Sequence, residues 1–507
     1  MVETRRWLRR TGFGVVAAML ATTPFGAAPA QAAEATGELA GSAWLDIGGV
    51  NAAVTAVRGA AGGKVRNGTV DTASLTGTGI GVALIDSGIA PVPGLNQPGK
   101  VINGPDLSFE SQTPGLQHTD TYGHGTHMAG IIAGSDPAGG YEGVAPGAHL
   151  ISLKTAAYDG AVDVSQVIAA IDWVVAHRND PGLNIRVLNL SFGTDSIQPS
   201  LVDPLSFAVE TAWKKGIVVV VSAGNDGAAR MTMPSANPYV LAVGAADPNG
   251  TEARTDDTIA TFSNRGTAAR HPDLIAAGRS LVSLRVPGSY IDTQYPAARV
   301  GDRLFRGSGT SQAAAVVSGS VALLLQQRPG LTPDQVKQLL MKTADPLAKP
   351  DPIGSGAGQL DIAGAATLIA PLGATQTWQA ATGLGTLEAS RGTSHLVDGV
   401  TGIQLIGERD IFGKPWVPLT WVTAARNGRA WTGGTWNGSV WSGQAFTGTS
   451  WASSTWAIVT WTGRSWAGRS WAGDSWAGRS WNGGTWTGRS WAYGTWAGRS
   501  WAGRSWA

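Results

Sequence analysis

Cysteine is absent from all 507 residues, which excludes disulfides, thiol catalysis and cysteine-ligated zinc. Charge is sparse too, at 14% of residues with a net of only +2, and no nucleic-acid partner is expected. Beyond the N-terminus no run is long and apolar enough to cross a bilayer, so no stable membrane span is expected in the mature chain. Leucine does not occur after Leu419, which denies the last part of the chain an ordinary aliphatic core. The charge that exists is unevenly spread. From Trp416 onward there are eight arginines, no lysine and a single acid, Asp474, a local balance of +7. The first 32 residues contribute +3, leaving about −8 for residues 33–415. The body is acidic and the tail basic, in a chain long enough for more than one domain and 43% hydrophobic.

The N-terminus reads as an export signal over residues 1–32. Arg5, Arg6, Arg9 and Arg10 precede the apolar stretch Phe13 to Ala21, and the small-residue site Ala30-Gln31-Ala32 follows. The Arg5-Arg6 and Arg9-Arg10 pairs loosely fit a twin-arginine route. A secreted protein is expected. Residues 33–75, rich in Ala, Gly and Thr, read as a short pro-segment or N-terminal arm.

From 76 to 370 short apolar runs alternate with helical patterns. Gly81 to Ile85, His149 to Leu153, Val187 to Leu190, Ile217 to Val221 and Leu241 to Val243 are continuous and apolar, as in strands covered on both faces. Val164 to His177, Pro204 to Lys215 and Ser311 to Gln327 are helix candidates between or after them. Thr332 caps a further helix, with Pro333 in its first turn and Gln335 completing a capping box. This alternation predicts a three-layer αβα domain around a mostly parallel sheet.

Three segments of this region carry chemistry. Ala83-Leu84-Ile85-Asp86-Ser87-Gly88 ends an apolar strand on a carboxylate, where ligands gather in open α/β sheets. Taken alone, Asp86 would only start a turn. Gly123-His124-Gly125-Thr126-His127 surrounds His124 with small residues that let a helix start lie close to neighbouring backbone. The His-x-x-His spacing would also suit a metal, but no Glu-x-x-His helix or cysteine completes such a site, and His127 reads as a packed histidine. Gly307-Ser308-Gly309-Thr310-Ser311-Gln312 places Ser311 at the positive start of a buried helix, where alone it would be a cap. Together they supply a nucleophile, a base to take its proton and an acid to orient the base, in one of the chain orders found for such triads.

In these segments the sequence resembles the subtilisin-like serine peptidases over about residues 76–370. The resemblance implies Asp86, His124 and Ser311 as the catalytic triad of a serine endopeptidase acting on proteins or peptides through an acyl-enzyme. Gly216 to Asn225 resembles the strand and loop that supply the family's oxyanion-hole asparagine, Asn225 here. Ser191-Phe192-Gly193 resembles the edge that pairs with substrate backbone, and Thr232 and Met233 would lie near the pocket for the residue preceding the cut. The sequence departs from the family at Gln312, Ala315 and Val316, where methionine, proline and histidine are usual. The segment before the domain is also short for the usual pro-domain. No family calcium loop is recognisable, so no cofactor is expected and calcium is unsupported. Competing readings are a wall-binding protein with a secondary or inactive peptidase fold, and an esterase using the same triad, which the missing Gly-x-Ser-x-Gly elbow at Ser311 disfavours.

Residues 371–415 look like a linker or small connecting module, and 416–507 form a repeat. Tryptophan recurs every fifth residue from Trp431 to Trp506, with Phe446 filling the single gap. On a strand that spacing alternates faces and on a helix it scatters the rings, so neither gives a single stripe. A solenoid with rings turned outward beside arginines, or a disordered tail, are the two expectations. Such rings and charge would suit carbohydrate or anionic cell-wall polymers.

Overall fold

The computed structural model describes residues 63–66, 69–72, 75–111, 113–249, 254–393, 395–398, 404–440 and 461–462. All of them belong to a single unit that begins at Leu39. The export signal, most of the 33–75 segment and most of the repeat lie outside the described residues.

The principal strands and helices, in chain order, are β1 (Gly81–Asp86), β2 (Val101–Asn103), α1 (His124–Ala133), β3 (His149–Lys154), α2 (Val164–His177), β4 (Ile185–Leu190), α3 (Pro204–Lys214), β5 (Val218–Ser222), β6 (Leu241–Asp247), β7 (Thr258–Ile259), β8 (Leu274–Ala277), α4 (Thr310–Gln327) and α5 (Pro333–Thr343). The eight strands make one sheet in the order β7-β6-β5-β4-β1-β3-β2, with β8 also on β6. Every pairing is parallel except that of β7 with β6. Helices α1 and α4 pack on each other, as do α2 and α3, and these two sets flank the sheet as the outer layers of a three-layer α/β domain. The strands are continuous apolar runs because helices cover both faces: Val82 to Ile85 and Val218 to Val221 are all buried.

The helix starts are set locally. Asp163 caps α2 and Thr332 caps α5, each with the reciprocal glutamine of a capping box, Gln166 and Gln335. Helix α4 is buried from Thr310 to Leu325, as its small and apolar composition requires. The parallel order with crossovers places the carboxyl ends of β1, β4 and β5 at one edge, where the candidate residues lie.

The described residues of 371–415, the segment expected as a linker or small connecting module, are packed on this domain. Tyr239 donates its hydroxyl to the Trp378 carbonyl at 2.6 Å, and Gly385 donates its N–H to the Val202 carbonyl at 2.7 Å. Within a short helix α6 (Leu387–Arg391), the buried Arg391 guanidinium meets the equally buried Asp163 carboxylate at 2.6 Å. The same side chain donates to the carbonyls of Gly407 and Arg409. Thr194 donates its hydroxyl to the Ser390 carbonyl at 2.6 Å, tying α6 to the chain leaving β4.

The first units of the repeat are folded as well. After α7 (Pro418–Arg426), strands β9 (Trp431–Thr432), β10 (Thr435–Trp436) and β11 (Ser439–Val440) form a small antiparallel meander. Gly433 and Gly434, then Asn437 and Gly438, all take positive φ in its two-residue turns. Gly-Gly and Asn-Gly are the dipeptides that such hairpin turns require. Because the chain reverses between them, Trp431 and Trp436 stand directly opposite each other and share a face. For these two residues neither a disordered tail nor a solenoid with rings turned outward is what is found: both rings are buried. Trp416 and Trp421 join them, with ring centroids 4.8 Å apart. The Nε1–H groups of Trp421 and Trp436 both donate to Asp172 Oδ2 on α2, at 2.7 and 2.8 Å, and Trp431 donates to the Ala169 carbonyl at 2.6 Å. Burial pushes the Asp172 carboxyl up to about 7, opposed by the two indole donors.

Candidate active site

Strand β1 ends on Asp86 and helix α1 begins on His124, and the two side chains meet. His124 Nδ1 lies 2.7 and 2.9 Å from the two oxygens of Asp86. Both residues are buried, at 0 and 1% exposure, so the hydrogen bond is not diluted by water and the carboxylate fixes the ring's orientation. The approach of α1 to β1 depends on glycine: a Cβ on Gly125 would stand 2.1 Å from the Gly88 carbonyl oxygen.

A residue that sequence reasoning missed holds the two elements together. The buried Asp120 carboxylate accepts from Ser87 Oγ at 2.8 Å, from the Gly123 N–H at 2.6 Å and from the Thr126 N–H at 2.7 Å. Burial pushes its carboxyl up, while the hydrogen bonds from Thr126 and Gly123 oppose the shift. An aspartate a few residues ahead of a helix is a capping signal that could have found it. Next to it, Lys154 at the end of β3 pairs with Glu110 at 2.9 Å and donates to the carbonyls of Ser87 and Ala156.

His127 is not part of this cluster. It lies one turn along α1, fully buried, with Nε2 donating to the Phe305 carbonyl at 3.1 Å. Burial pushes its imidazole down to about 3, so it is neutral and packs as core.

Ser311 is the second residue of α4 and is 1% exposed. Asn225 follows β5, and its side-chain oxygen accepts from the Thr310 N–H at 2.8 Å and from Thr310 Oγ1 at 2.9 Å. A backbone N–H can only donate, so this contact fixes the orientation of the amide and directs its NH₂ away from Thr310. Asn225 is thereby tied to the turn of helix that carries Ser311. The role of Thr310 in that tie was not legible in its motif.

The segment after β4 sits alongside. Ser191 Oγ accepts from Asn189 Nδ2 at 3.1 Å, and Asn189 Oδ1 accepts from Ser318 on α4, which braces the strand end against the helix that carries Ser311. Phe192 is buried in the core, so main chain is what it can offer a peptide. Gly193 lies against Thr232, whose Oγ1 would be 2.7 Å from a Cβ there. Thr194 and Met233 exchange backbone hydrogen bonds of 2.9 and 2.8 Å. The structure thus brings 191–194 and 232–233 together. Gln312, directly after Ser311, is fully buried, and neither end of its amide has a hydrogen-bond partner.

Residues 77–377 match the Subtilase family. Over 307 residues the chain is 40% identical to the serine protease AprX of Bacillus subtilis (strain 168), covering 59% of this chain and 67% of that protein. It is 34% identical to subtilisin BL of Lederbergia lenta over 282 residues, 56% of this chain and 89% of that one. The solved crystal structure of a cold adapted subtilisin-like serine proteinase matches with a TM-score of 0.43 and 28% identity, over 59% of this chain and 92% of that one.

Proposed function

Because this chain belongs to the Subtilase family and is a subtilisin-like serine endopeptidase, we propose that Asp86, His124 and Ser311 are its triad and Asn225 its oxyanion donor. The reading is carried by the buried contact of His124 Nδ1 with Asp86 at 2.7 Å, which leaves the opposite ring nitrogen to act on a serine. Ser311 Oγ attacks the peptide carbonyl as His124 Nε2 takes its proton. Asp86 holds Nδ1–H in place and stabilises the imidazolium. The tetrahedral oxyanion is held by Asn225 Nδ2 and the Ser311 N–H at the positive start of α4. Collapse breaks the C–N bond, with His124 returning the proton to the leaving amine, and water then hydrolyses the acyl-enzyme along the reverse route. The main chain of Ser191, Phe192 and Gly193 pairs with the extended substrate.

Labelling with a fluorophosphonate probe followed by peptide mapping tests this. The label is expected on Ser311 and absent from Ser311→Ala; folded protein that takes no label would overturn the assignment. A separate result is expected at Asn225. Asn225→Ala should lower kcat about 10²- to 10³-fold with KM little changed, because its hydrogen bond forms chiefly in the transition state. Steady-state kinetics on a peptide amide checks it.

We also propose that the enzyme is secreted, on the order of charge, apolar run and small-residue site in residues 1–32. One similar protein is the minor extracellular protease Epr of Bacillus subtilis (strain 168). The proposed wall-binding role then falls to residues 441–507, since Trp416, Trp421, Trp431 and Trp436 are occupied against the catalytic domain. Co-sedimentation with insoluble cell wall should favour the full chain over one ending at Val440; equal recovery would reject it.

A further inference from the structure

One buried carboxylate of the catalytic domain has no task in the proposed reaction. Asp159 lies in the turn between β3 and α2 and is 3% exposed. Its Oδ1 accepts from the Ala161 N–H at 3.0 Å, while Oδ2 is buried with no hydrogen-bond partner. The neighbouring acid is already engaged: Glu110 is paired with Lys154 and accepts from Thr121 Oγ1 at 2.6 Å and from the Tyr158 N–H at 3.0 Å. An unpaired buried carboxylate is costly unless something brings a counter-charge to it.

Tyrosine rings stand around it. Tyr122 and Tyr290 are stacked with centroids 5.8 Å apart, and Tyr158 meets Tyr290 edge-on at 6.3 Å. Asp159 is the chain neighbour of Tyr158, which sets it at the edge of this ring group. Tyr122 also lies 6.5 Å from the His124 ring, so the group borders the reaction centre, and Tyr158, 40% exposed, opens it to solvent. Aromatic faces carry negative potential, and rings combined with a carboxylate are what a cation recognises.

The geometry points to a pocket for a cationic side chain, lysine or arginine, at the substrate position two before the scissile bond, with Tyr122, Tyr158 and Tyr290 as walls and Asp159 as its anion. This rests on the proposed function and on the expectation that the side chain just before the bond lies toward Thr232 and Met233. In an extended peptide the next side chain points the opposite way, toward His124 and Tyr122.

The test uses the full-length enzyme and two fluorogenic peptide amides that differ only in Lys or Ala at that position. The wild type is expected to favour Lys at least about tenfold in kcat/KM. Asp159→Asn should bring the ratio close to one and leave turnover of the Ala peptide within about twofold, and Asp159→Ser should repeat the result. Burial holds the Asp159 carboxyl at about 7, so it is neutral below that pH and charged above it. The Lys preference should therefore climb as pH rises from about 6 to 8. Asp86 and His124 serve both peptides alike and cancel in the ratio; Glu110 stays locked to Lys154; Tyr122 and Tyr158, pushed upward by burial, remain neutral. A wild-type ratio near one, or a ratio unchanged in both Asp159 variants, would overturn the pocket while the peptidase reading stands. Failure of the wild type to take the fluorophosphonate would overturn both.

Discussion

Ser311→Ala and His124→Ala are each expected to lower kcat about 10⁶-fold, and the double variant no further than either alone, a magnitude known from the family itself. The reason is geometric. His124 is held by Asp86 through a 2.7 Å contact between two buried groups, so the base has one orientation and serves one nucleophile. Remove either partner and the other has nothing to act with; their effects do not add. Asp86→Asn should cost about 10⁴-fold, because an amide at that place favours the wrong imidazole tautomer. The residual rate over uncatalysed hydrolysis would come from binding and from Asn225. Single-turnover and steady-state kinetics on one peptide amide, with the three single variants and the double, check the pattern. Additive losses would mean that the residues do not work as a unit.

Arg391→Met is expected to destabilise the enzyme by about 3–5 kcal/mol, which for a body of this size lowers Tm by roughly 4–7 °C. Arg391 and Asp163 are each 0% exposed and 2.6 Å apart. Losing the guanidinium strands a carboxylate inside the protein, removes the side-chain donor to the Arg409 carbonyl and leaves the Gly407 carbonyl with only the Arg409 N–H. Asp163 is also the cap of α2, so the damage should reach the turn containing Asp159. Calorimetry in a Ser311→Ala background avoids self-digestion. The double variant Arg391→Met with Asp163→Asn should recover part of the loss, because neither charge is then left unpaired. No recovery would mean that packing of the arginine stem, not its charge, is what matters.

How much of this could be read from the sequence follows from how local each signal is. Strand β1, helices α2 and α4 and the capping box at Thr332 were legible because apolar continuity and caps are properties of neighbouring residues. Asp86, His124, Ser311 and Asn225 each sit in a short run whose composition announces a strand end or a helix start. Strand β2, three residues at the sheet edge, and β8, four residues, are too short to carry a period. The packing of 371–440 was illegible for another reason. Arg391 meets Asp163 across 228 positions and Trp436 meets Asp172 across 264, and nothing near either end marks its partner. The five-residue spacing misled because it was projected on a single straight element. The Gly-Gly and Asn-Gly dipeptides that reverse the chain were present and had no part in that projection. Asp120, Thr310 and Asp159 escaped because their meaning lies in what they touch.

An endopeptidase is also its own most concentrated substrate, and what outlasts its activity is whatever cannot open locally to fit an extended cleft. The Asp172 carboxylate, gripped by Trp421 and Trp436, fastens the start of the repeat to α2, so the autolysis-resistant form should reach at least Val440 and not stop near residue 377, where the family match stops. Mass spectrometry of aged enzyme should find that longer core. The first turns of the tryptophan repeat would then be part of the durable peptidase, and a protein engineer trimming this chain to its family boundary would discard a structural clasp.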